Sequence, residues 1–219
     1  MKHERKNLCI LLSILLVIIA ATIVLAVKMD KSPDMQSTVL PGQSVDFQRF
    51  NATEAMNTAV EMLNSNEFTQ AKNLLNNTIK QHPGNTELWM LLGTVYYRQE
   101  NFVQAEQAFR HVVRRQPDSA AGFNNLCETL IKLERFPEAK AAITNALRLA
   151  PKQGEILLNA ASLHALLHED KQALHFLKLA LDTGITPEEI SEIKELVHLL
   201  ERPDFMNYYN RKRSELKNK

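Results

Sequence analysis

Three histidines lie close together in the chain, His164, His168 and His175. Imidazoles four residues apart on a helix share a face, and with a third donor they make a metal site. Here the placement opposes that chemistry. His164 falls on an apolar helical stripe, His168 beside a hairpin turn, and His175 on the next helix, so no metal is expected. The two thiols are as quiet. Cys9 opens an apolar run and Cys127 sits within a repeated helix, so no disulfide between them is expected and Cys127 reads as a small buried thiol. The chain carries no G-x-G-x-x-G, no G-x4-G-K-[ST], no H-E-x-x-H, no G-x-S-x-G and no C-x-x-C. Its carboxylates are scattered over wet faces. With 26 basic and 25 acidic residues the net charge is +1, too small a field to draw nucleic acid. No enzyme, cofactor, metal or small-molecule substrate is expected, and no nucleic acid.

What the chain does carry is periodicity. Trp89, Leu92, Gly93 and Tyr96 stand at i, i+3, i+4 and i+7, one stripe of a helix. Ala105, Phe109 and Val112 form a second stripe, and the short polar Gln99-Glu100-Asn101 between them predicts an αα-hairpin. The pattern returns every 34 residues: Phe123, Leu126, Cys127 and Leu130 with Ala139, Ile143 and Ala146, then Leu157, Ala160, Ala161 and His164 with Ala173, Leu177 and Ala180. One step back gives Ala55, Thr58, Ala59 and Met62 with Ala71, Leu75 and Thr78. Alanine opens the second stripe in all four copies, where a small side chain lets the two helices approach and a larger one would overpack. Pro83, Pro117 and Pro151 stop second helices, and Gly84, Gly154 and Gly184 fall at turns between copies, where a left-handed backbone is expected.

The spacing W-x2-L-G-x2-Y … A-x3-F … P, as Trp89 to Pro117 carry it, resembles the tetratricopeptide repeat (TPR) family. The resemblance covers 52–185 and implies an all-α solenoid of four hairpins, at 52–85, 86–119, 120–153 and 154–185. The last copy departs from it, with no closing proline and with His164 where the second copy has Tyr96. The resemblance also implies a superhelix whose concave wall is built from first helices, noncatalytic, and open to a protein or peptide partner. Two residues after the Trp89-type position stand Asn57, Leu91, Asn125 and Asn159, similar to the asparagine ladder by which some superhelical members hold a peptide backbone. An amide both donates and accepts, which suits an extended chain. Met90, Thr94, Tyr97, Asn124, Glu128, Leu158 and Ser162 flank these positions and complete the expected partner-binding set. The family's carboxylate clamp needs basic residues there, and this sequence lacks them.

The flanks set the context. A short basic N-terminus, 1–7, precedes twenty uncharged residues, 8–27, which at about 1.5 Å per residue span a bilayer core. A retained transmembrane anchor is favoured over a cleaved signal peptide because the run exceeds the usual signal core. Cleavage after Ala26 would instead release a soluble secreted adaptor beginning at Val27. Basic residues ahead of the run favour a cytoplasmic N-terminus and repeats on the periplasmic or other extracytoplasmic side. Residues 28–51, with prolines, a glycine, hydroxyls and no sustained period, read as a flexible linker. Thr186-Pro187-Glu188-Glu189 is a helix start, and Ile190, Ile193, Val197 and Leu200 make a stripe, so 186–202 is expected to be a single capping helix. A basic, partly frayed tail is expected over 203–219. The whole describes a membrane-anchored scaffold in envelope complex assembly, the alternative being an accessory subunit of a membrane-associated enzyme complex such as cytochrome c maturation.

Overall fold

A computed structural model describes residues 51–217. Residues 1–50, on which the expected anchor and linker fall, lie outside the described residues. Among the described residues no helix is long and apolar enough to cross a membrane. Eight helices alternate in four hairpins: α1 (Ala52–Asn64) and α2 (Phe68–Gln81), α3 (Thr86–Arg98) and α4 (Phe102–Arg115), α5 (Ala120–Lys132) and α6 (Phe136–Leu149), α7 (Gly154–Leu166) and α8 (Asp170–Asp182).

Three of the first helices start on side-chain caps placed 34 residues apart, whereas Gln153 before α7 makes none. Asn51 accepts from the Glu54 amide at 2.9 Å, Asn85 from the Glu87 amide at 2.9 Å, and Ser119 from the Gly122 amide at 3.1 Å. All four end in a shared motif. Asn66, Glu100, Glu134 and His168 take left-handed backbone with φ of 57° to 59°, and the residue after each donates to the carbonyl five back, as Asn101 does to Tyr96 at 2.9 Å. The left-handed positions therefore lie inside the hairpins. Of the inter-repeat glycines expected to need that region only Gly184 uses it, at φ 104°.

The stripes pack as their spacing predicts. Ala71, Ala105, Ala139 and Ala173 are completely buried, each at the crossing of its hairpin. Leu75, Leu88, Val112 and Leu177 are also fully buried, each stabilising the stack by about 2 kcal/mol. Gly93 is there because the Phe109 ring presses on it: a Cβ built at Gly93 would lie 2.6 Å from Cε1 of that ring. Each hairpin buries its apolar faces partly against the next, so the core runs the length of the stack.

The C-terminal end departs from expectation. The single helix expected over 186–202 is three short pieces, α9 (Pro187–Ser191), a 3-10 turn (Lys194–Leu196) and α10 (Val197–Leu200). Ile193 between the first two is extended, with φ −88° and ψ 103°. That break re-phases the stripe, so Leu196 and Leu199 become fully buried while Val197 turns out to solvent. The tail is likewise ordered into α11 (Pro203–Lys217), which packs on α8. Phe205 anchors it with no exposed surface, Tyr208 donates to Asp182 Oδ1 at 2.7 Å, and Lys212 Nζ pairs with the same oxygen at 2.9 Å. A fully buried aromatic ring, hidden in a charged sequence, makes this segment the true end cap.

Candidate functional site

The two walls of the stack are tied by different chemistry. Among first helices, Asn125 Nδ2 on α5 donates to Met90 Sδ on α3 at 3.3 Å, and Asn159 Nδ2 on α7 donates to Asn124 Oδ1 on α5 at 3.0 Å. Both links join residues 35 apart, and through them asparagine amides bridge α3 to α5 and α5 to α7. Second helices are bridged by long side chains. Arg110 on α4 reaches Glu138 Oε2 on α6 at 2.6 Å, Arg135 reaches back to Glu106 at 2.6 Å, and Lys140 pairs with Glu169 at 2.9 Å. First helices also pack on one another, α1 on α3 and α5 on α7, as no pair of second helices does to that extent. The first-helix wall is thus the tighter, inner one.

Two recesses open beside α3 on this wall. One, about 150 Å³, is lined by Thr94, Tyr97, Asn125 and Glu128, with Phe109 from α4 also contributing. The other, about 470 Å³, is lined by Met56, Thr86, Glu87, Met90, Leu91, Gln116 and Ser119. The Met90–Asn125 bond lies between them, since each partner lines one recess.

Electrostatics single out the smaller recess. Burial pushes the Tyr97 hydroxyl up to about 12, with the carboxylates of Glu128 and Glu195 adding to the effect. Burial likewise raises Glu128 above the ordinary carboxylate range; Lys132 one turn on opposes this and Glu155 reinforces it. Neither the Tyr97 hydroxyl nor the Glu128 carboxylate has a hydrogen-bonding partner among the described residues, whereas the Thr94 hydroxyl donates to the Met90 carbonyl at 3.1 Å. Cys127 beside them is free and buried, its thiol pushed up to about 12 chiefly by burial, which fits a packing role.

Of the residues expected to bind a partner, Thr94, Tyr97, Asn125 and Glu128 come together in one recess and Met90 borders the other. Asn57 is exposed on α1 and lines neither. Asn124 is only 6% exposed, so it serves as the acceptor that holds Asn159 and does not face the groove. Leu158 packs against the C-terminal core, and Ser162 is half-buried on α7. The amide ladder is thus partly consumed in joining repeats, and Leu91 interrupts it. Phe109, Met56 and Glu195 were not anticipated. Phe109 sits on a packing stripe and Glu195 in the cap, and nothing local in the sequence marks the one as lining the smaller recess or the other as charging it from a distance. The histidines also separate: His164 Nδ1 meets Glu169 Oε2 at 2.5 Å and its ring stacks on Phe176, while His168 occupies the left-handed turn. Among the described residues no group of histidine, cysteine and carboxylate side chains has metal-binding geometry.

Comparison with known proteins agrees with this architecture. Two family profiles, both described as tetratricopeptide repeat, match back to back over 62–127 and 128–188, together more than half of the chain. No curated protein matches. Among solved structures, a thermophilic TPR protein of Thermus thermophilus, TTC0263, is 23% identical, with a TM-score of 0.63 over 74% of this chain and 90% of that one. YrrB, described as a TPR protein with an unusual peptide-binding site, is 16% identical with a TM-score of 0.56, covering 74% of this chain and 84% of its own. A structure of MamA AMB-1 is 22% identical with a TM-score of 0.52, covering 70% and 80%. At such identities the likeness is one of fold. Repeat spacing, hairpin geometry and both profiles agree, and the chain belongs to the tetratricopeptide repeat family.

Proposed function

We propose that this protein is a noncatalytic scaffold that holds an extended segment of a partner protein along its first-helix wall, close to a membrane. The observation that carries the reading is the recess between α3 and α5, where Tyr97 and Glu128 present polar groups without partners inside a partly desolvated hollow. Both side chains are half-buried, and the hydrogen bonds a ligand makes to them in a partly desolvated hollow are stronger than the same bonds in open water. Asn125 and Asn159 each commit one N–H to a neighbouring repeat and retain a second N–H and a carbonyl oxygen with which to meet a peptide backbone. A TPR protein of this fold, YrrB, is described as having a peptide-binding site, which is consistent with the reading.

The membrane part rests on sequence. Residues 8–27 are uncharged over a bilayer-spanning length, and 28–51 would tether the repeats on the extracytoplasmic side. Site-specific photo-crosslinking tests the groove. A benzophenone side chain placed at Thr94 or Ser162 should yield partner adducts in cells, and one at Gln107, exposed on a second helix, should not. Adducts confined to Gln107 would overturn the inner-wall assignment. Carbonate extraction tests the anchor separately, since an anchored chain stays in the membrane pellet and release to the supernatant would refute it.

A further inference from the structure

We infer that the segment held in this groove carries a basic side chain, lysine or arginine, seated in the recess of Thr94, Tyr97, Asn125 and Glu128, and an apolar side chain seated in the Met56–Met90–Leu91 recess about three residues away. The inference rests on the groove reading and specifies its ligand.

The smaller recess is a set of acceptors. Glu128 offers a carboxylate, Asn125 a carbonyl oxygen, and Thr94 and Tyr97 hydroxyl oxygens, with the Tyr97 and Phe109 rings completing the wall. An ammonium or guanidinium has only donors and is also attracted to aromatic faces, so it complements every group there. A carboxylate ligand would meet Glu128 with no fixed cation in the lining. The field around the recess has the same sign, because Glu195 from the cap adds to the negative charge felt by Tyr97 and Glu155 to that felt by Glu128. Lys132, exposed on the same helix, offsets part of this and makes no ion pair with Glu128. Burial keeps Glu128 incompletely solvated, and an incoming cation relieves that cost.

The larger recess differs in kind. Met56, Met90 and Leu91 give it a pliable apolar surface suited to an aliphatic or aromatic side chain, with the polar Thr86, Glu87, Gln116 and Ser119 completing the lining. Its α3 residues centre about seven positions before Thr94 and Tyr97, or about 10 Å along the helix. An extended chain advances about 3.3 Å per residue, so a peptide filling both recesses places its two anchors about three residues apart.

The test probes the full-length chain, labelled and in detergent, with a positional-scanning library of peptides about ten residues long. In each pool one position is fixed as a single amino acid and the others are random. Lysine and arginine pools should bind best at one position, by about tenfold over glutamate pools, with leucine, methionine or phenylalanine preferred about three positions away. Glu128→Gln should abolish the basic preference, keep the apolar one, and leave the melting temperature unchanged or higher, because it removes a desolvated charge. A purely structural Glu128 would give a lower melting temperature and an unchanged preference, which would overturn the inference. So would wild-type binding that is indifferent to charge or prefers acidic pools. If such binding is still lost in Thr94→Trp, the groove reading stands and only the basic ligand falls. Should no pool bind at all, both fall.

Discussion

The contact between Gly93 and Phe109 permits a quantitative challenge to the packing, through Gly93→Ala. In an exposed helix interior this change stabilises by about 1 kcal/mol. Here the new methyl carbon would meet Cε1, Cδ1 and Cζ of Phe109 at 2.6, 2.8 and 2.9 Å, all inside normal contact. The ring is 2% exposed, hemmed by core on its other sides, so it has little room to retreat. Overpacking of this kind costs about 1–3 kcal/mol, leaving a net loss of about 1 kcal/mol and a melting temperature about 2–4 °C lower. Register supports the pairing, since the equivalent pairs in the other repeats are Ala59 with Leu75, Cys127 with Ile143 and Ala161 with Leu177. Only the bulkiest second-helix residue faces glycine. Trp89, the sole tryptophan, lies on the same helix and reports urea unfolding directly. Gly93→Ala combined with Phe109→Leu should lose less than the sum of the single changes, a coupling of about 1 kcal/mol. Gly84→Ala, where nothing lies within 4 Å of the new carbon, serves as the control. Stability in Gly93→Ala equal to or above wild type, or strict additivity in the double variant, would refute the argument.

Two further outcomes follow from named contacts. His111 stacks on Trp89 at 4.2 Å with its Nδ1 buried and unbonded, and burial, then Arg115 and Arg114, hold its pKa below the ordinary 6.5. A folded-state pKa below the unfolded one means stability present above the ordinary histidine range and lost as pH falls through it; quenching of Trp89 by the protonated ring should accordingly titrate below 6.5 and vanish in His111→Asn. Asn159→Ala strips the buried Asn124 oxygen of its donor and should cost about 1–2 kcal/mol, while Asn125→Ala gives up only a weak bond to sulfur and should cost well under about 1 kcal/mol; equal losses in urea melts would count against the assigned links.

The repeats were legible because each hairpin solves the same packing problem, and a recurring solution leaves a recurring sequence. The alanine at each helix crossing is visible without coordinates for that reason. Of the C-terminal cap only the start was visible, the capping box of Thr186 with Glu189, because the rest occurs once. Its stripe was mis-phased at Ile193, whose extended backbone, which a β-branched side chain tolerates well, goes with the burial of Leu196 and Leu199. The left-handed turns were hidden for a related reason. Glu100 and Glu134 occupy them without glycine, at a steric cost of about 1–2 kcal/mol each that the surrounding hairpin offsets. In the groove, the family resemblance picked out Thr94, Tyr97, Asn125 and Glu128, which the structure brings into one recess. It gave no sign that Asn124, one residue along, turns into the interface between repeats.

That difference between Asn124 and Asn125 connects curvature to binding. A stack bends when one wall is drawn closer than the other, and here short amides draw the first helices together while Arg110, Arg135 and Lys140 span the wider outer spacing. The outer pairs are about 40% exposed on their arginine side, so salt weakens them more than the inner amide bonds. Glu106 is the exception, 8% exposed and bonded by both arginines, and it fixes the spacing of α4 and α6 where the smaller recess lies opposite. The inner amides therefore shape the groove and also present their remaining polar atoms to its occupant. A ligand that took over the amide hydrogen Asn125 now gives to Met90 would loosen the wall that holds it, so stable binding has to draw on the groups left unpaired, Glu128 and Tyr97 foremost.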